Sequence, residues 1–167
     1  MANFNFCPVC AKSLVWQTWF GSTHQVCPDS SCGYVVFHDP KLVSVVLVEH
    51  EGKILLGKRN IEPGKGLWTF LGGYIDRGER VEDAARREVK EETNLEVELI
   101  RLLGVYSQVD NPIVLIAYAA KVKGSLEDMR PQESETSELA FVRPSEMPEL
   151  AFHFDRQILN DWLDKPL

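Results

Sequence analysis

The chain has 167 residues, with 18 Lys and Arg against 25 Asp and Glu, and a formal net charge of −7. At roughly 100–200 residues per domain, that length allows one domain, or one domain with a small appendage. Its 44% apolar and 26% charged residues exclude wholesale disorder, and the acidic balance argues against a general nucleic-acid binder, which needs a basic field.

A nucleotide is still admitted, because an acidic protein can approach phosphate through bound metal. The sequence from Met1 to Phe6 has no basic region and no long apolar stretch, so no signal peptide is expected. The most apolar run, Leu42–Val48, is seven residues long, against about 20 for a membrane helix. The expectation is a cytoplasmic protein with no membrane partner. Thiols stay reduced in that compartment, so clustered cysteines there more often bind metal than pair as disulfides.

All four cysteines precede residue 33, as Cys7-x2-Cys10 and Cys27-x4-Cys32. Cys7-Pro8-Val9-Cys10 reads as a knuckle that points two thiolates at one ion, and the second pair completes a tetrahedral zinc site. Leu14–Phe20 and Thr23–Val26 read as strands around Gly21-Ser22. Two knuckles on a hairpin resemble a zinc ribbon, and a closed four-thiolate site makes the zinc structural. The x4 spacing departs from the usual x2 and suggests a looser knuckle. The alternatives are disulfides, or a ribbon that has lost its metal. His24 reads as a strand residue, because four thiolates already fill the site.

Further along, Lys41–Glu49 is a Val-rich buried strand and Lys53–Lys58 returns after Glu51-Gly52. Arg59–Gly66 is a loop. Trp68–Tyr74 carries strand residues broken by Gly72-Gly73, and Glu82–Thr93 is a helix. Leu95–Gln108 and Ile113–Lys121 are strand-like, Gly124–Thr136 reads as a mobile loop, and Leu139–Val142 is a short strand. Phe154–Leu163 is a closing helix with Ile158, Leu159 and Trp162 as its apolar stripe. Strands and helices mix without regular alternation, which predicts a mixed sheet flanked by helices.

The chemistry concentrates between Gly73 and Leu95. Glu88, Glu91 and Glu92 share one helix face. Three crowded carboxylates repel one another, and Mg²⁺ or Mn²⁺ prefers oxygen ligands of this kind. Arg87 can pair with Glu79 from the preceding loop and orient the carboxylates. Gly72-Gly73 permits close backbone approach, with a carbonyl available to a metal. Taken alone, the three glutamates also fit an ordinary solvated helix face.

The whole pattern, Gly73-x5-Glu79-x7-Arg87-Glu88-Val89-x-Glu91-Glu92-x-Asn94-Leu95, resembles the Nudix box. The one departure is Asn94 in place of Gly, at a position past the helix end where a left-handed residue is wanted and Asn is the usual second choice. Glu51–Arg59 resembles the family's first hairpin. Gly66–Gly73 resembles its approach to the box, with Leu71 where Pro is usual. Glu135–Glu138, Glu146-Met147-Pro148 and Leu150-Ala151-Phe152 are similar to the end of a zinc-ribbon subgroup associated with ADP-ribose, FAD or NADH pyrophosphatase activity.

The resemblance implies an α+β fold: a Nudix-type α/β/α sandwich with a mixed sheet over residues 38–167, preceded by a small β zinc ribbon over residues 1–37. It implies Mg²⁺-dependent hydrolysis of a nucleoside diphosphate derivative, ADP-ribose or FAD first, releasing AMP. The metal ligands implied are Glu88, Glu91, Glu92 and the Gly72 carbonyl, with Cys7, Cys10, Cys27 and Cys32 holding zinc. The catalytic set implied is Glu91, Glu92, Glu135 and Arg87; relatives take the general base either from a glutamate of the helix or from one on a later loop, which here offers Glu133, Glu135 and Glu138, with Glu135 favoured. Homodimers are common among relatives, and one is expected here. The SQPWPFPxS array of NADH pyrophosphatases is absent, since Ser107-Gln108 leads into Val109-Asp110-Asn111-Pro112. Other diphosphates (NADH, capped RNA, a damaged nucleoside triphosphate) and a non-catalytic nucleotide-binding regulator are the alternatives. Arg59 and Arg101 are candidate phosphate contacts. Phe37, Trp68, Tyr106 and Tyr118 are candidate stacking partners, none of them singled out.

Overall fold

The computed structural model describes residues 4–19 and 21–165. It divides into two compact units, Met1–Pro40 and Lys41–Leu167.

In the first unit, β1 (Val15–Trp19) and β2 (Ser22–Val26) form an antiparallel hairpin with Val15 opposite Val26 and Trp19 opposite Ser22. Phe20, which the sequence reading places at the end of the first strand, lies outside the described residues. The buried amide of Gln25 is satisfied by the backbone of Phe4: it accepts from the Phe4 N–H at 3.0 Å and donates to the Phe4 carbonyl at 2.7 Å. His24 lies on β2 and packs against Phe37, with ring centroids 5.4 Å apart.

The second unit is built on β3 (Lys41–His50), β4 (Lys53–Arg59), β5 (Trp68–Thr69), β6 (Leu71–Tyr74), β7 (Glu96–Ser107), β8 (Ile113–Lys123) and β9 (Thr136–Val142). The strand order is β5-β4-β3-β8-β7, with β6 also on β3 and β9 on β4. β3 and β8 run parallel and the other pairs antiparallel, so the sheet is mixed. Helix α1 (Val81–Thr93) covers one face and α2 (Asp155–Leu163) the other.

Alternation along the central strands creates the two faces. Val45 and Leu47 of β3 with Ile54 and Leu56 of β4 pack under Ile158, Leu159 and Trp162 of α2. Val46, Val48 and Leu55 point the other way, to Ala85 and Val89 of α1. The fold is the expected α+β sandwich. Leu71, standing where Pro is usual, is 1% exposed and lies in the α1 layer opposite Val46. It packs as core.

One expectation is overturned. The segment 124–135 is irregular but fastened. The Arg130 N–H donates to the Thr93 carbonyl at 3.1 Å, the Gln132 N–H to the Glu92 carbonyl at 3.1 Å, and the Asn94 side-chain amide to the Asp128 carbonyl at 3.0 Å. Leu126 and Met129 pack on the α1 core. The last turn of a helix leaves carbonyls without intrahelical partners, and this loop supplies them. Strand β9 accordingly begins at Thr136, earlier than Leu139. Among the described residues no helix is long and apolar enough to cross a membrane.

Candidate functional site

The Gly72-Gly73 pair brings β6 against both β3 and α1. Gly72 has φ +148, and a Cβ there would lie 2.0 Å from the Ser44 carbonyl oxygen, so only glycine permits this approach. Its N–H donates to Glu92 Oε2 at 2.9 Å. A Cβ on Gly73 would stand 2.5 Å from the Glu88 carboxylate. The two glycines are what let the helix carboxylates reach the sheet.

Arg87 organises the rest. It grips Glu79 through two bonds, Nε to Oε1 at 2.9 Å and Nη2 to Oε2 at 3.0 Å. Nη1 reaches Glu88 at 2.7 Å and Glu91 at 3.3 Å, and Nη2 also donates to the Tyr74 carbonyl at 3.1 Å. The expected tie between loop and helix is present. Arg87 holds the Glu79 carboxyl below its ordinary range, chiefly through that hydrogen bond. Burial pushes the Glu88 carboxyl up against the opposing pull of Arg87. Burial likewise pushes Glu92 up to about 8, helped by Glu88 and Glu135 and opposed by the Gly72 N–H.

A cavity of about 250 Å³ is lined by Gly73, Tyr74, Asp76, Arg87, Glu88, Glu91, Gln132 and Glu135. Of the three loop glutamates, only Glu135 lines it. Glu138 pairs with Lys58 at 3.4 Å, and Glu133 offers its carbonyl to the Asn60 side chain. The aromatic residue at the cavity is Tyr74, 54% exposed, with Lys41 Nζ 5.4 Å from its ring centre.

None of the four aromatics considered from sequence lines this cavity. Phe37 belongs to the first unit, Trp68 packs on the α2 core, Tyr106 is buried with its hydroxyl donating to Asp161 at 2.7 Å, and Tyr118 packs in the α1 layer. Arg101 is taken up by the Lys165 carbonyl. Arg59 lies over the Phe152 ring at 4.8 Å and donates to the Pro63 carbonyl at 2.6 Å.

The carboxylates suit a hard divalent cation. Two of them, Glu88 and Glu92, are pushed up by burial, and both feel the charge of Glu135. A bound cation relieves that repulsion, and oxygen donors of this type favour Mg²⁺ or Mn²⁺.

In the first unit the Sγ atoms of Cys7 and Cys32 are 3.7 Å apart and those of Cys10 and Cys27 are 3.4 Å apart, and all four sulfurs lie within 4.8 Å of one another. A tetrahedron with Zn–S bonds of about 2.3 Å has S–S edges of about 3.8 Å, so the set fits zinc closely. All four cysteines are free thiols. Burial raises Cys7, but the backbone amides of Cys10 and Val9 outweigh it and bring the thiol down to about 7; burial pushes Cys27 up to about 12.

The x4 knuckle is not loose. Asp29 Oδ1 accepts from the Ser31 N–H at 3.0 Å and hydroxyl at 2.7 Å, and the Asp29 carbonyl accepts from Cys32 at 3.0 Å and Gly33 at 3.1 Å. Lys12 Nζ clamps the other carboxylate oxygen at 2.6 Å. The extra residues form a side-chain-capped turn.

A glycine-paired strand leading to an acidic helix, with an arginine spreading three carboxylates beside an open cavity, defines a hydrolase site of the Nudix type. The NUDIX domain family matches residues 39–163, and the chain belongs to that family; it is a Nudix hydrolase. An ADP-ribose pyrophosphatase of Methanocaldococcus jannaschii is 33% identical over 134 residues, 78% of this chain and 77% of that protein. A NAD-capped RNA hydrolase NudC of Chromobacterium violaceum is 30% identical over 148 residues, 89% of this chain and 53% of that longer protein. The crystal structure of a NUDIX hydrolase from Nitrosomonas europaea superposes with a TM-score of 0.86 at 28% identity, covering 98% of this chain and 92% of that one.

Proposed function

We propose that the enzyme hydrolyses the pyrophosphate bond of ADP-ribose or FAD and releases AMP. The observation that carries this is a cavity that joins Glu88 and Glu91 of α1, Glu135 of the later loop and the exposed ring of Tyr74. Glu88, Glu91 and Glu92, with the Gly72 carbonyl, are the residues that would hold Mg²⁺. The ion would neutralise the diphosphate and acidify the attacking water. Glu135 takes the proton from that water as its oxygen attacks phosphorus, and the bond from phosphorus to the bridging oxygen breaks. Arg87 keeps Glu88 and Glu91 aimed, and Tyr74 offers a face on which a base or other flat ring can stack.

The ribbon cysteines would hold structural zinc; their gathering as a ligand set fits reduced thiols and a cytoplasmic setting. Leu102 and Val105, exposed on β7, give a homodimer an apolar surface, which sedimentation would test.

A second reading, an NAD-capped RNA end as substrate, is favoured by the long alignment with the Chromobacterium NudC, which includes part of the cysteine-bearing unit. One panel separates them: AMP release from ADP-ribose, FAD, NADH and diadenosine polyphosphates, and NMN release from NAD-capped RNA, each with Mg²⁺ and with EDTA. The proposal expects ADP-ribose or FAD to be fastest and EDTA to abolish turnover. No turnover of any member by folded protein would sink the catalytic reading.

A further inference from the structure

Glu135 sits on a turn, Gln132–Thr136, whose Glu135 and Thr136 N–H groups both donate to the Gln132 carbonyl, at 3.0 and 2.8 Å. Where the Glu135 side chain points depends on what holds that turn. On the helix side the hold is the Gln132 N–H on the Glu92 carbonyl. On the sheet side it is Asn60, the residue after β4. Its backbone N–H donates to the Glu135 carbonyl at 2.7 Å, and its side-chain amide donates to the Glu133 carbonyl at 2.8 Å. One residue thus grips the turn at two carbonyls flanking Ser134.

The ladder next to this grip is irregular. Lys58 stands opposite Glu138, but Arg59 stands opposite Thr136, so Ser137 is an extra residue on β9. Its hydroxyl donates to the Lys58 carbonyl at 3.3 Å. A bulge of this kind bends the strand and re-aims the neighbouring side chains. Asn60 receives the chain directly beyond the bulge.

We propose that Asn60 is a positioning residue: by holding the Glu133–Glu135 main chain with both its amides, it aims the Glu135 carboxylate into the cavity beside Glu88. This rests on the reading of Glu135 as the base. Asn60 lies outside the cavity lining and outside both core clusters. Loss of its side-chain bond leaves the Asn60 backbone bond and the Gln132 bond in place, so the fold persists while the aim is lost. Small misplacements of a reacting group are costly, with about 1 Å able to cost two orders of magnitude.

The test compares wild type, Asn60→Ala, Asn60→Asp, Glu135→Gln and the double variant Asn60→Ala/Glu135→Gln. The substrate is whichever member of the panel above (ADP-ribose, FAD, NADH, diadenosine polyphosphates or NAD-capped RNA) turns over fastest with Mg²⁺. Asn60→Ala should lower kcat about tenfold, in the range of lost supporting contacts, with KM and Tm nearly unchanged. Asn60→Asp, which keeps size but has no side-chain donor, should do the same and serves alone if the alanine variant does not fold. Glu135→Gln should lower kcat about a hundredfold. The double variant should match Glu135→Gln within twofold, because no base is left to aim.

A merely structural Asn60 would instead multiply its effect in the double variant. That result, or wild-type kcat in Asn60→Ala and Asn60→Asp, overturns the proposal and leaves the base in place. Wild-type kcat in Glu135→Gln, or no turnover of any member of that panel, removes the base reading and this proposal together.

Discussion

In the first unit four sulfurs stand within 4.8 Å of one another, whereas among the described residues no carboxylate trio is gathered so closely. The glutamates of α1 are pulled apart: Glu88 and Glu91 lean on Arg87, and Glu92 turns inward to the Gly72 N–H. Each arrangement follows from its ligands. Neutral thiols do not repel, and two short backbone turns suffice to bring them together. Carboxylates repel in a low-dielectric setting, so the protein spaces them with a guanidinium and an amide. A gathered soft set suits a closed staple. A spread hard set leaves room for phosphate oxygens to share the ion.

The strongest way to break this contrast is Glu92→Gln. It keeps the shape at a half-buried position and removes a carboxylate proposed to hold Mg²⁺. We expect kcat to fall by about two to three orders of magnitude, as when a charge-stabilising group is lost, with the circular dichroism spectrum unchanged. A kcat within twofold of wild type would remove Glu92 from the metal site.

Next in size is the staple. Purified protein should carry one zinc per chain by atomic emission. A strong chelator should then expose the first 40 residues to protease while the larger unit resists, because a segment this short lacks a sufficient core. Background zinc in freshly purified protein, with four equally reactive thiols, would show a ribbon that stands without metal.

Arg87→Ala tests the spacing. Glu79, Glu88 and Glu91 lose their shared partner, so the Mg²⁺ concentration for half-maximal activity should rise about tenfold. Thermal scans should show a loss of about 1–2 kcal/mol for the part-exposed ion pairs. An unchanged Mg²⁺ requirement would make Arg87 a fold residue only.

The smallest effect concerns Asp155, which is 2% exposed and accepts from the Phe152 N–H at 3.1 Å and the Thr69 hydroxyl at 3.3 Å. Burial raises its carboxyl to about 6, against the pull of those two donors and of Arg59. A raised carboxyl stabilises the fold below its unfolded value, and that contribution is lost as pH climbs through about 6. Asp155→Asn should therefore match wild type near pH 4 and exceed it by about 2 kcal/mol at pH 8. Equal stability curves across that range would mean the carboxyl titrates normally.

The parts legible in the sequence were those whose geometry is local. The Glu79–Arg87 tie, the shared face of Glu88, Glu91 and Glu92, and the two cysteine pairs are fixed by spacing on one turn or one helix. Alternation in β3 and the stripe of α2 gave the layers. What stayed hidden depends on distant chain segments. Resemblance favours Glu135 over Glu133 and Glu138, but the bulge between β4 and β9 and the grip of Asn60 on the turn leave no period to read. The anchoring of 124–135 comes from helix-end carbonyls that no loop composition reveals. Tyr74 closes a short strand whose two glycines carry the sequence signal. Its position directly after Gly73, in the box itself, was the available signal. Asn94 looked like a tolerated replacement for Gly; its φ of +61 fits that, and its side chain adds the bond to Asp128 that glycine lacks.

The parallel pairing of β3 with β8 carries a kinetic consequence. Lys41 must find Ile113 across the whole stretch that holds β4, β6 and α1. Such distant pairing closes a large loop before its contacts repay the entropy, and it slows folding. The glycines, the helix and the Glu135 turn come from three separate stretches of that topology. Partly folded chains should therefore show helical signal from α1 well before they show turnover, and regain of activity in a refolding experiment should track the slowest phase.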